Sequence, residues 1–423
     1  MTTTKNNEHE KNQGRKVLNV PNSTDKGNVI RNVPHLRFPE FEGEWEKCPL
    51  GKISTKITKK NKGNTIQNVL CNSATLGLIP QNDYFDREIA NSNNTEGYYV
   101  IEYGDFVYNP RKSVSAPYGP VNIYTGSIKG IISPLYLCFS VHSIMPSFLY
   151  YRFKSSVWFP YVYSHGDTGT RFDRVSIKDD VFFEMPIYMP SSKEQIKIAN
   201  LMALLDERIA TQNKIIDKLQ SLIKGINQRV FRNNGINYKL GEVCEIRSGY
   251  SGNQLLSKKG LKVSRIETIS GHKVNLERVG YVAPFESSEN YKLQVGDILF
   301  SNINSVEYIG NTAFIDKDYD LYHGMNLLRL TPNNMVVIPF YLYLLLNTNR
   351  MLNRFKTVCN KAVSQASINQ TELGKTVVQI PDINAQKQIC ELYQTLYDKL
   401  ESEKYANSLF QKQKLYLLRQ IFI

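Results

Sequence analysis

The stretch SIKDDVFFEMPIYMP, Ser176–Pro190, decides the fold because a second stretch of the same pattern, SINQTELGKTVVQIP, spans Ser367–Pro381. Both stretches run from a Ser-Ile pair to a proline, and the second begins 191 residues after the first. A repeat at this distance is far longer than the solenoid period of about 20 to 50 residues. It predicts two copies of one globular unit.

The repeat extends in both directions from these stretches. Equivalent pairs beyond the prolines are Gln195 and Gln386, Ile198 and Ile389, Leu201 and Leu392, and Leu205 and Leu396. Equivalent pairs before them are Leu50-Gly51 and Leu240-Gly241, and Gly104-Asp105 and Gly296-Asp297. The chain of 423 residues is therefore interpreted as two copies of about 190 residues behind a polar leader, 1–33, whose Asn, Lys and Thr content favours disorder.

Each copy begins with short runs of β-branched and aromatic residues between clusters of Gly, Pro, Asn and Ser, a pattern typical of strands. The predicted strands are DFVYN, LYLCFSV and VWFPYVY in the first copy, and DILFS, NTAFI and NLLRL in the second. A helix is expected around Pro339–Phe355, where the proline suits a helix start. These patterns predict an α+β fold with two similar mixed globules, at 34–190 and 236–381.

Each globule is followed by a long helical pattern, at 191–235 and 382–423. The first has Ser191 or Ser192 as a candidate N-cap and lacks proline from Ser192 to Arg232. Its apolar seam has heptad positions a at Met202, Ile209, Ile216, Ile223 and Val230, and positions d at Leu205, Gln212, Leu219 and Ile226. Such a seam predicts a helix of about 40 residues that pairs with another helix.

The second long helix carries a weaker seam. Its apolar positions are Tyr393, Leu396, Leu400, Phe410, Leu417 and Ile421, and Glu403, Asn407 and Lys414 interrupt them. Two seams of similar length in one chain are most economically buried against each other as an antiparallel coiled coil. Gln212 and Glu403 are equivalent in the repeat, which suits either a register or partner-contact device or an incidental polar heptad position.

The charge balance favours a polyanionic partner, since 52 Lys and Arg outnumber 39 Asp and Glu by +13. No run approaches the roughly 18 apolar residues of a membrane span, and the N-terminus lacks an apolar signal core, so a cytoplasmic protein that does not bind membranes is expected. The six cysteines and six histidines are dispersed and form no CxxC, HxH or HExxH pattern. We expect neither a disulfide framework nor a metal site.

No catalytic motif emerges from the sequence. Asn109-Pro110 continues into Arg-Lys rather than into the loop of an amino-methyltransferase, and a GxxxxGK[ST] loop is missing. Pro381-Asp382 duplicates Pro190-Ser191, so it is interpreted as a helix start rather than as part of a nuclease site. The chain is expected not to be an enzyme, and an enzyme with an unfamiliar motif remains the outside alternative.

The order of these parts resembles the specificity subunit of type I restriction-modification systems. The resemblance rests on Pro34–Phe41 (PHLRFPEF) with Gly43-Glu44-Trp45, on the following Leu-Gly, and on Pro190–Ile198 (PSSKEQIKI), and it covers the chain after the leader. The second copy departs from it at Asn384-Ala385-Gln386, where the first has Lys193-Glu194-Gln195.

The resemblance implies that two target recognition domains alternate with two paired helices. Each domain would read one half of a bipartite site in double-stranded DNA, with half-sites about one helical turn apart or somewhat more. It also implies two methyltransferase subunits, which use S-adenosylmethionine to methylate adenine, and two ATP-driven restriction subunits that require Mg²⁺. No cofactor is expected in this chain itself.

Four loop regions carry side chains suited to DNA. They are the basic turn 58–64, the segments 109–112 and 301–304 after the Gly-Asp strands, the segments 165–174 and 360–365 before the Ser-Ile pairs, and 247–253. The candidate DNA-binding residues are Lys59, Lys60, Lys62, Arg111, Lys112, Thr170, Arg171, Arg174, Arg247, Tyr250, Asn302, Asn304, Lys361 and Gln365. Arg174 and Gln365 are equivalent, and arginine suits guanine as glutamine suits adenine.

Each candidate also has an ordinary interpretation, as a solvated loop residue or as a brace within the loop. For the whole protein, the alternative is a scaffold that oligomerises through its helices and binds nucleic acid without sequence preference. Such a scaffold would lose its affinity with salt and would not distinguish oligonucleotides.

Overall fold

The computed structural model describes residues 32–84, 95–166, 173–231, 235–361 and 365–423. The chain divides into two compact units. Unit 1 consists of the residues up to Gln212 together with Ala406–Ile423, and unit 2 consists of Asn213–Tyr405. Among the described residues, no helix combines the length and the apolar character that crossing a membrane requires.

Unit 1 is built on two four-stranded sheets. Its strands are β1 (Glu46–Pro49), β2 (Ser54–Lys56), β3 (Val69–Ser73), β4 (Gly77–Pro80), β5 (Tyr99–Ile101), β6 (Phe106–Tyr108), β7 (Val121–Ile123), β8 (Gly130–Ile132), β9 (Leu137–Val141) and β10 (Pro186–Met189). Its helices are α1 (Gln81–Tyr84), α2 (Pro146–Lys154), α3 (Phe159–His165), α4 (Asp179–Phe183) and the first part of α5 (Ser192–Val230). One sheet has the order β2-β9-β6-β7, the other β4-β3-β8-β5, and β1 pairs with β10.

Unit 2 has one four-stranded sheet of the order β12-β18-β15-β17, with smaller sheets β13-β14, β16-β20-β19 and β11-β21. Its strands are β11 (Ile236–Lys239), β12 (Cys244–Ser248), β13 (Leu261–Val263), β14 (Gly280–Val282), β15 (Ile298–Phe300), β16 (Ile303–Asn304), β17 (Thr312–Phe314), β18 (Leu328–Pro332), β19 (Asn360–Lys361), β20 (Ala366–Ser367) and β21 (Val377–Ile380). Its helices are α6 (Leu240–Val243), α7 (Pro339–Leu346), α8 (Asn349–Val358), α9 (Gln370–Gly374) and most of α10 (Ile383–Ile421).

The internal repeat and the mixed α and β fold are confirmed. The sheet β2-β9-β6-β7 has the same strand order as β12-β18-β15-β17 at equivalent sequence positions. The ends of each copy pair in the same register, Glu46 with Met189 and Ile236 with Ile380. Gly104 and Gly296 both have a left-handed φ, +92° and +100°, which glycine adopts without steric cost at the turn into β6 or β15.

The two cores differ in composition. In unit 1 the aromatic rings pack in contact, with Tyr108 stacked on Phe182 at 4.7 Å and Phe153 edge-on to Trp158 at 5.6 Å between centroids. The core of unit 2 is mainly aliphatic and contains most of α7. Both tryptophans, Trp45 and Trp158, are buried in unit 1, so tryptophan fluorescence reports on that unit.

Five of the six strands predicted by pattern are present, and VWFPYVY is not a strand. That segment forms α3, with Pro160 in its first turn, where the missing N–H leaves no hydrogen bond unmade. Trp158 and Val162 are both buried four residues apart, which is helical spacing, and the backbone N–H of Val162 bonds the carbonyl of Trp158. The helix expected around Pro339–Phe355 is divided into α7 and α8, because Thr348 caps a new helix by accepting from the N–H of Met351 at 3.3 Å.

The predicted helix seams are confirmed by burial. All of the seam positions in α5 and α10, including the polar Gln212, are buried or half-buried, whereas Leu204 and Leu222 off the seam are 63% and 50% exposed. In unit 1, Asp206 pairs with Lys414 and the guanidinium of Arg208 lies 4.9 Å from the ring centroid of Phe410. From Asp206 to Arg208 along α5, the contact on α10 moves back from Lys414 to Phe410, so the helices are antiparallel there.

The starts of α5 and α10 are anchored by equivalent glutamines. Gln195 accepts from the N–H of Met145 at 2.9 Å and donates to the carbonyl of Pro190 at 2.9 Å. Gln386 repeats both bonds with Ile338 and Pro381, each at 2.8 Å. This shared anchor explains why glutamine recurs at the same place in both copies.

Asp382 caps α10, as a helix start requires. Its carboxylate accepts from the N–H groups of Asn384 and Ala385 at 2.9 and 3.0 Å. A side chain bonded in this way satisfies the free N–H groups of the first turn. The interpretation of Pro381-Asp382 as a helix start is therefore confirmed.

Glu194, which Ala385 replaces in the second copy, has a partner specific to unit 1. Its carboxylate is 1% exposed and binds Arg37 through two bonds of 2.8 Å, and the indole of Trp45 donates to it at 3.3 Å. The Arg-Phe-Pro segment of the first copy thus supplies the cation that makes a buried carboxylate tolerable.

Replacement Glu194→Gln is expected to lower the free energy of unfolding of unit 1 by about 1–3 kcal/mol, because the amide can accept only one of the two guanidinium bonds and leaves Arg37 without a counter-charge. Urea unfolding followed by tryptophan fluorescence measures this. Lys193→Gln, an exposed neighbour on the same turn, is the control and should differ little from the wild type. A midpoint for Glu194→Gln equal to that of the control would contradict the assignment.

Asp105 makes the stability of unit 1 depend on pH. Burial raises the pKa of this carboxyl from its usual 3.8 to about 6, despite the hydrogen bond that it accepts from the N–H of Glu102 at 2.7 Å. Because the pKa is raised in the folded state, its contribution to stability is full below pH 3.8 and is lost as the pH rises through about 6.

Asp105→Asn should remove this dependence, since the amide oxygen still accepts from Glu102 and never ionises. Relative to wild type, the variant should gain about 1 kcal/mol in free energy of unfolding between pH 4 and pH 7.5. This figure is reduced for the partial exposure of Asp105. Tryptophan-monitored urea unfolding at pH 4, 5, 6 and 7.5 tests this. Equal pH slopes for wild type and variant would count against it.

Candidate nucleic-acid interface

A short two-stranded ribbon in unit 1 brings together two of the predicted loop regions. The segment 110–112 pairs antiparallel with 173–175: Arg111 lies opposite Arg174, and Lys112 N–H donates to the carbonyl of Asp173 at 2.8 Å. Val175 N–H donates to the carbonyl of Pro110 at 2.9 Å. The strand exit after the Gly-Asp turn and the segment before the Ser-Ile pair are thus one structural element, here called the polar ribbon of unit 1.

The polar ribbon of unit 1 has excess positive charge. Arg111 is exposed, and its nearest carboxylate is that of Asp173, 4.0 Å from Nε. The hydroxyl of Tyr136 lies near both arginines: burial raises its pKa, and the charges of Arg174 and Arg111 act in the opposite direction. The surface therefore offers guanidinium donors beside an aromatic ring.

Two cavities flank Tyr136. The first, about 450 Å³, is lined by Lys56, Tyr99 and Arg174 among others. The second, about 410 Å³, is lined by Tyr98, Arg111, Lys112 and Asn109 among others. Nothing in the sequence singles out Tyr98, Tyr99 and Tyr136, because the chain has 26 tyrosines and most aromatic residues belong to cores. Only the fold shows that they lie beside lysine and arginine.

The lysine-rich turn adjoins the same surface. Lys60 pairs with Tyr99 in a β-bridge, and the Val100 N–H donates to the carbonyl of Lys59 at 2.9 Å. The buried Asn61 closes the turn by bonding both the N–H and the carbonyl of Ile66 at 3.0 Å. The predicted turn is confirmed, Lys59, Lys60 and Lys62 are exposed, and their DNA contact remains a prediction.

Unit 2 has the corresponding element as the sheet β16-β20-β19, called the polar ribbon of unit 2. Asn304 and Lys361 both lie opposite Ala366, and Ile368 N–H donates to the carbonyl of Asn302 at 2.9 Å. The second copy thus joins the same two regions as the first. Lys361 and Gln365 are exposed on it.

The two asparagines of this ribbon are less available than the sequence analysis expected. The amide of Asn304 donates to the hydroxyl of Ser301 at 3.1 Å and accepts from Ser305 N–H at 2.8 Å. The Oδ1 atom of Asn302 is buried. The Asn304 side chain thus braces the strand exit, and Lys361 and Gln365 carry the exposed polar groups.

The fourth predicted loop region, 247–253, begins inside a strand. Arg247 lies in β12 and pairs with Glu245 at 2.6 Å. Tyr250 stacks on Phe285 with centroids 3.8 Å apart and meets Tyr291 edge-on, so one of its faces is already covered. Tertiary packing, which local sequence does not show, gives this tyrosine its neighbours. Thr170 and Arg171 lie outside the described residues.

The described residues contain no group of three or more His, Cys, Asp or Glu side chains placed to hold a metal ion. The six cysteines are free thiols, and four of them are buried. Burial raises the pKa of Cys138 and Cys244 to about 12, which disfavours the reactive thiolate. The interface is thus built from cationic, amide and aromatic side chains.

A family model and two known sequences that are similar to this chain all belong to type I restriction-modification specificity proteins. Residues 236–408 match the model of the type I restriction modification DNA specificity domain. A Methanocaldococcus jannaschii protein named as the specificity subunit of the type I restriction enzyme MjaX is 42% identical over 158 residues, 36% of this chain and 37% of that protein. The specificity subunit of HindI from Haemophilus influenzae is 27% identical over 133 residues, 31% and 28% of the two chains. The matches therefore span roughly a third of these relatives.

Solved structures share the fold over a longer part of the chain. A chain from a study of the assembly and conformational transition of the type I R-M system is 16% identical, with a TM-score of 0.59 and coverage of 89% of this chain and 97% of that one. The S subunit of the type I restriction-modification system of M. genitalium is 15% identical, with a TM-score of 0.53 and coverage of 92% and 99%. At these identities the likeness shows a common fold.

Proposed function

We propose that the chain is a specificity subunit of a type I restriction-modification system, the non-catalytic subunit that selects the DNA sequence; the match of residues 236–408 to the DNA specificity domain and the likeness to the MjaX subunit support this. Each unit reads one half of a bipartite, asymmetric site in double-stranded DNA. The polar ribbons supply the base contacts, and the exposed lysines supply phosphate contacts, which position a protein without specifying sequence.

One observation carries this proposal. The same scaffold occurs twice, and at the same place on each copy an antiparallel ribbon presents a different set of hydrogen-bonding side chains, Arg111 and Arg174 in unit 1 and Lys361 and Gln365 in unit 2. A two-stranded ribbon fits the major groove, where base edges are distinguishable. Two similar readers with different side chains suit a site with two different halves.

The long helices suit a spacer and a docking platform. α5 and α10 each contain 39 residues, about 58 Å at 1.5 Å per residue. We propose that they fix the gap between half-sites at about one helical turn or somewhat more. They would also dock two methyltransferase subunits and, through these, two restriction subunits. S-adenosylmethionine, ATP and Mg²⁺ would be used by those partners.

Genome-wide mapping of methylated sites tests the proposal. The chain is produced with its methyltransferase partner in a host that lacks other adenine methylation. We expect a single motif of two short specified halves separated by a fixed run of unspecified bases. A contiguous motif, or methylation without any motif, would contradict the proposal.

The non-specific scaffold is tested on the same material. The complex is titrated with a duplex that contains the mapped motif and with a scrambled duplex at several salt concentrations. A sequence-reading subunit should prefer the motif by about 10³-fold or more at physiological salt. Equal affinities that fall together with salt would favour the scaffold.

A further inference from the structure

The polar ribbons of the two units carry side chains that differ in the base they can bind. Arg174 and Gln365 each stand two residues before the Ser-Ile pair, 191 residues apart. Arg174 lies directly opposite Arg111, and Gln365 immediately precedes β20, whose Ala366 lies opposite Asn304 and Lys361. The two ribbons differ in register from the sequence repeat by two residues: the bond from Val175 to Pro110 corresponds to that from Ile368 to Asn302, so Ser367 occupies the place of Arg174 and Gln365 stands two residues before it.

Arg174 is held in a setting that favours an acceptor-rich ligand. Like charges directly opposite each other on paired strands destabilise the pairing, so Arg111 and Arg174 carry an unfavourable interaction in the free protein. Asp173 approaches Arg111 only to 4.0 Å, and the nearby Asp179 is bonded to Lys56 at 2.6 Å. A ligand with two adjacent acceptors, such as O6 and N7 of guanine, would relieve this repulsion.

Gln365 offers an uncharged amide instead. It is exposed and has no hydrogen-bond partner among the described residues, whereas Asn304 on the neighbouring strand is bonded to Ser301 and Ser305. The free amide has one donor group and one acceptor, which match the N7 acceptor and N6 donor of adenine. The ribbon of unit 2 thus offers the amide of Gln365, and the ribbon of unit 1 offers the guanidinium of Arg174.

We propose that Arg174 and Gln365 are specificity-determining residues of corresponding ribbons: Arg174 selects a guanine in the half-site read by unit 1, and Gln365 selects an adenine in the half-site read by unit 2. This inference rests on the proposed function and adds to it which base each ribbon reads. A phosphate contact by Arg174 is the competing assignment, because arginine also binds phosphate through two bonds.

The test uses the full chain with its methyltransferase partner and reciprocal substitutions. Arg174→Gln should reduce the preference for one guanine by roughly 10- to 100-fold and leave the other half-site unchanged. Gln365→Arg should change one adenine in the other half-site only. Arg174→Lys keeps the charge and loses the planar fork, so it should also relax the guanine. Arg278→Gln, an exposed arginine outside both ribbons, is the charge-matched control.

The outcomes separate the possibilities. If the wild-type complex has no bipartite motif, the proposed function fails. If the motif is bipartite but unchanged by Arg174→Gln and Gln365→Arg, only this inference fails. An unchanged motif with uniformly weaker methylation identifies a phosphate contact, and this result also overturns the inference. Should the variants methylate too little to map, competition among four duplexes that differ at the affected base decides, and an unchanged order of preference overturns the inference.

Discussion

Replacement of residues 236–381 by the matching part of a relative with a different DNA target is expected to change one half of the methylated motif completely and to leave the other half intact. The segment is a closed structural module: its two ends pair with each other, Ile236 with Ile380 and Lys239 with Val377. Its core clusters lie within unit 2. All buried residues of these clusters lie inside 236–381, so a graft exchanges them as a set, and Phe231, Ile389 and Cys390 outside the segment still have to pack against the new core.

The junctions of this graft follow from the structure. Gly235 must be kept, because its φ is +134° and an added Cβ would come within 2.3 Å of the backbone of Ile380. Asp382 must be kept because it caps α10. The graft keeps the natural residues 192–235. Methylated sites are mapped for the graft and, as the control, for the parent chain. A change in both half-sites would show that the units do not read DNA independently.

Asp297→Ala is expected to lower the free energy of unfolding of unit 2 by about 3–5 kcal/mol, the usual effect of removing one partner of a buried ion pair. Asp297 is 2% exposed, accepts from Thr331 Oγ1 at 2.7 Å and lies 3.8 Å from the Nε of Arg329. Without Asp297, Arg329 is left buried with only carbonyl oxygens, those of Asn290 and Lys292, as acceptors.

The repeat supplies the control for this substitution. Asp105 is the equivalent of Asp297 and accepts a similar backbone bond, but Cys138 stands where unit 2 has Arg329. Asp105→Ala should therefore cost no more than about 1 kcal/mol, because the loss of one hydrogen bond is offset at pH 7.5 by the removal of a carboxylate whose ionised form burial disfavours. Hydrogen exchange of the β15 and β18 amides follows unit 2, and tryptophan fluorescence follows unit 1. Equal losses for the two variants would exclude a special role for the ion pair with Arg329.

The features that could be predicted from sequence are those with a period or a repeat. The seam of Met202, Ile209 and Ile216 is visible because burial on one face of a helix imposes a heptad on the sequence. The duplicated Ser-Ile to proline stretches are visible because both copies end in the same strand, which pairs with the first strand of its copy, and anchor the same glutamine. In each case a local pattern is sufficient to fix the structure.

The errors concern residues whose surroundings come from distant parts of the chain. VWFPYVY has strand-forming residues, yet Trp158 and Val162 meet the core of unit 1 at helical spacing, and tertiary burial outweighed propensity. Tyr250 was predicted in a DNA-contacting loop, and Phe285, 35 residues away, covers one of its faces. Asn304 is a local exception: its close neighbours Ser301 and Ser305 bond the amide that was predicted to contact DNA.

The sequence by itself determined that this protein is a duplication with two paired helices, because offset and heptad are properties of residue order. It also determined the net charge of +13, which favours a polyanionic partner without placing it. Only the tertiary structure decided which polar side chains share a surface. Arg111 and Arg174 are 63 positions apart and become opposite residues of one ribbon because backbone hydrogen bonds, which carry no side-chain signature, join their strands.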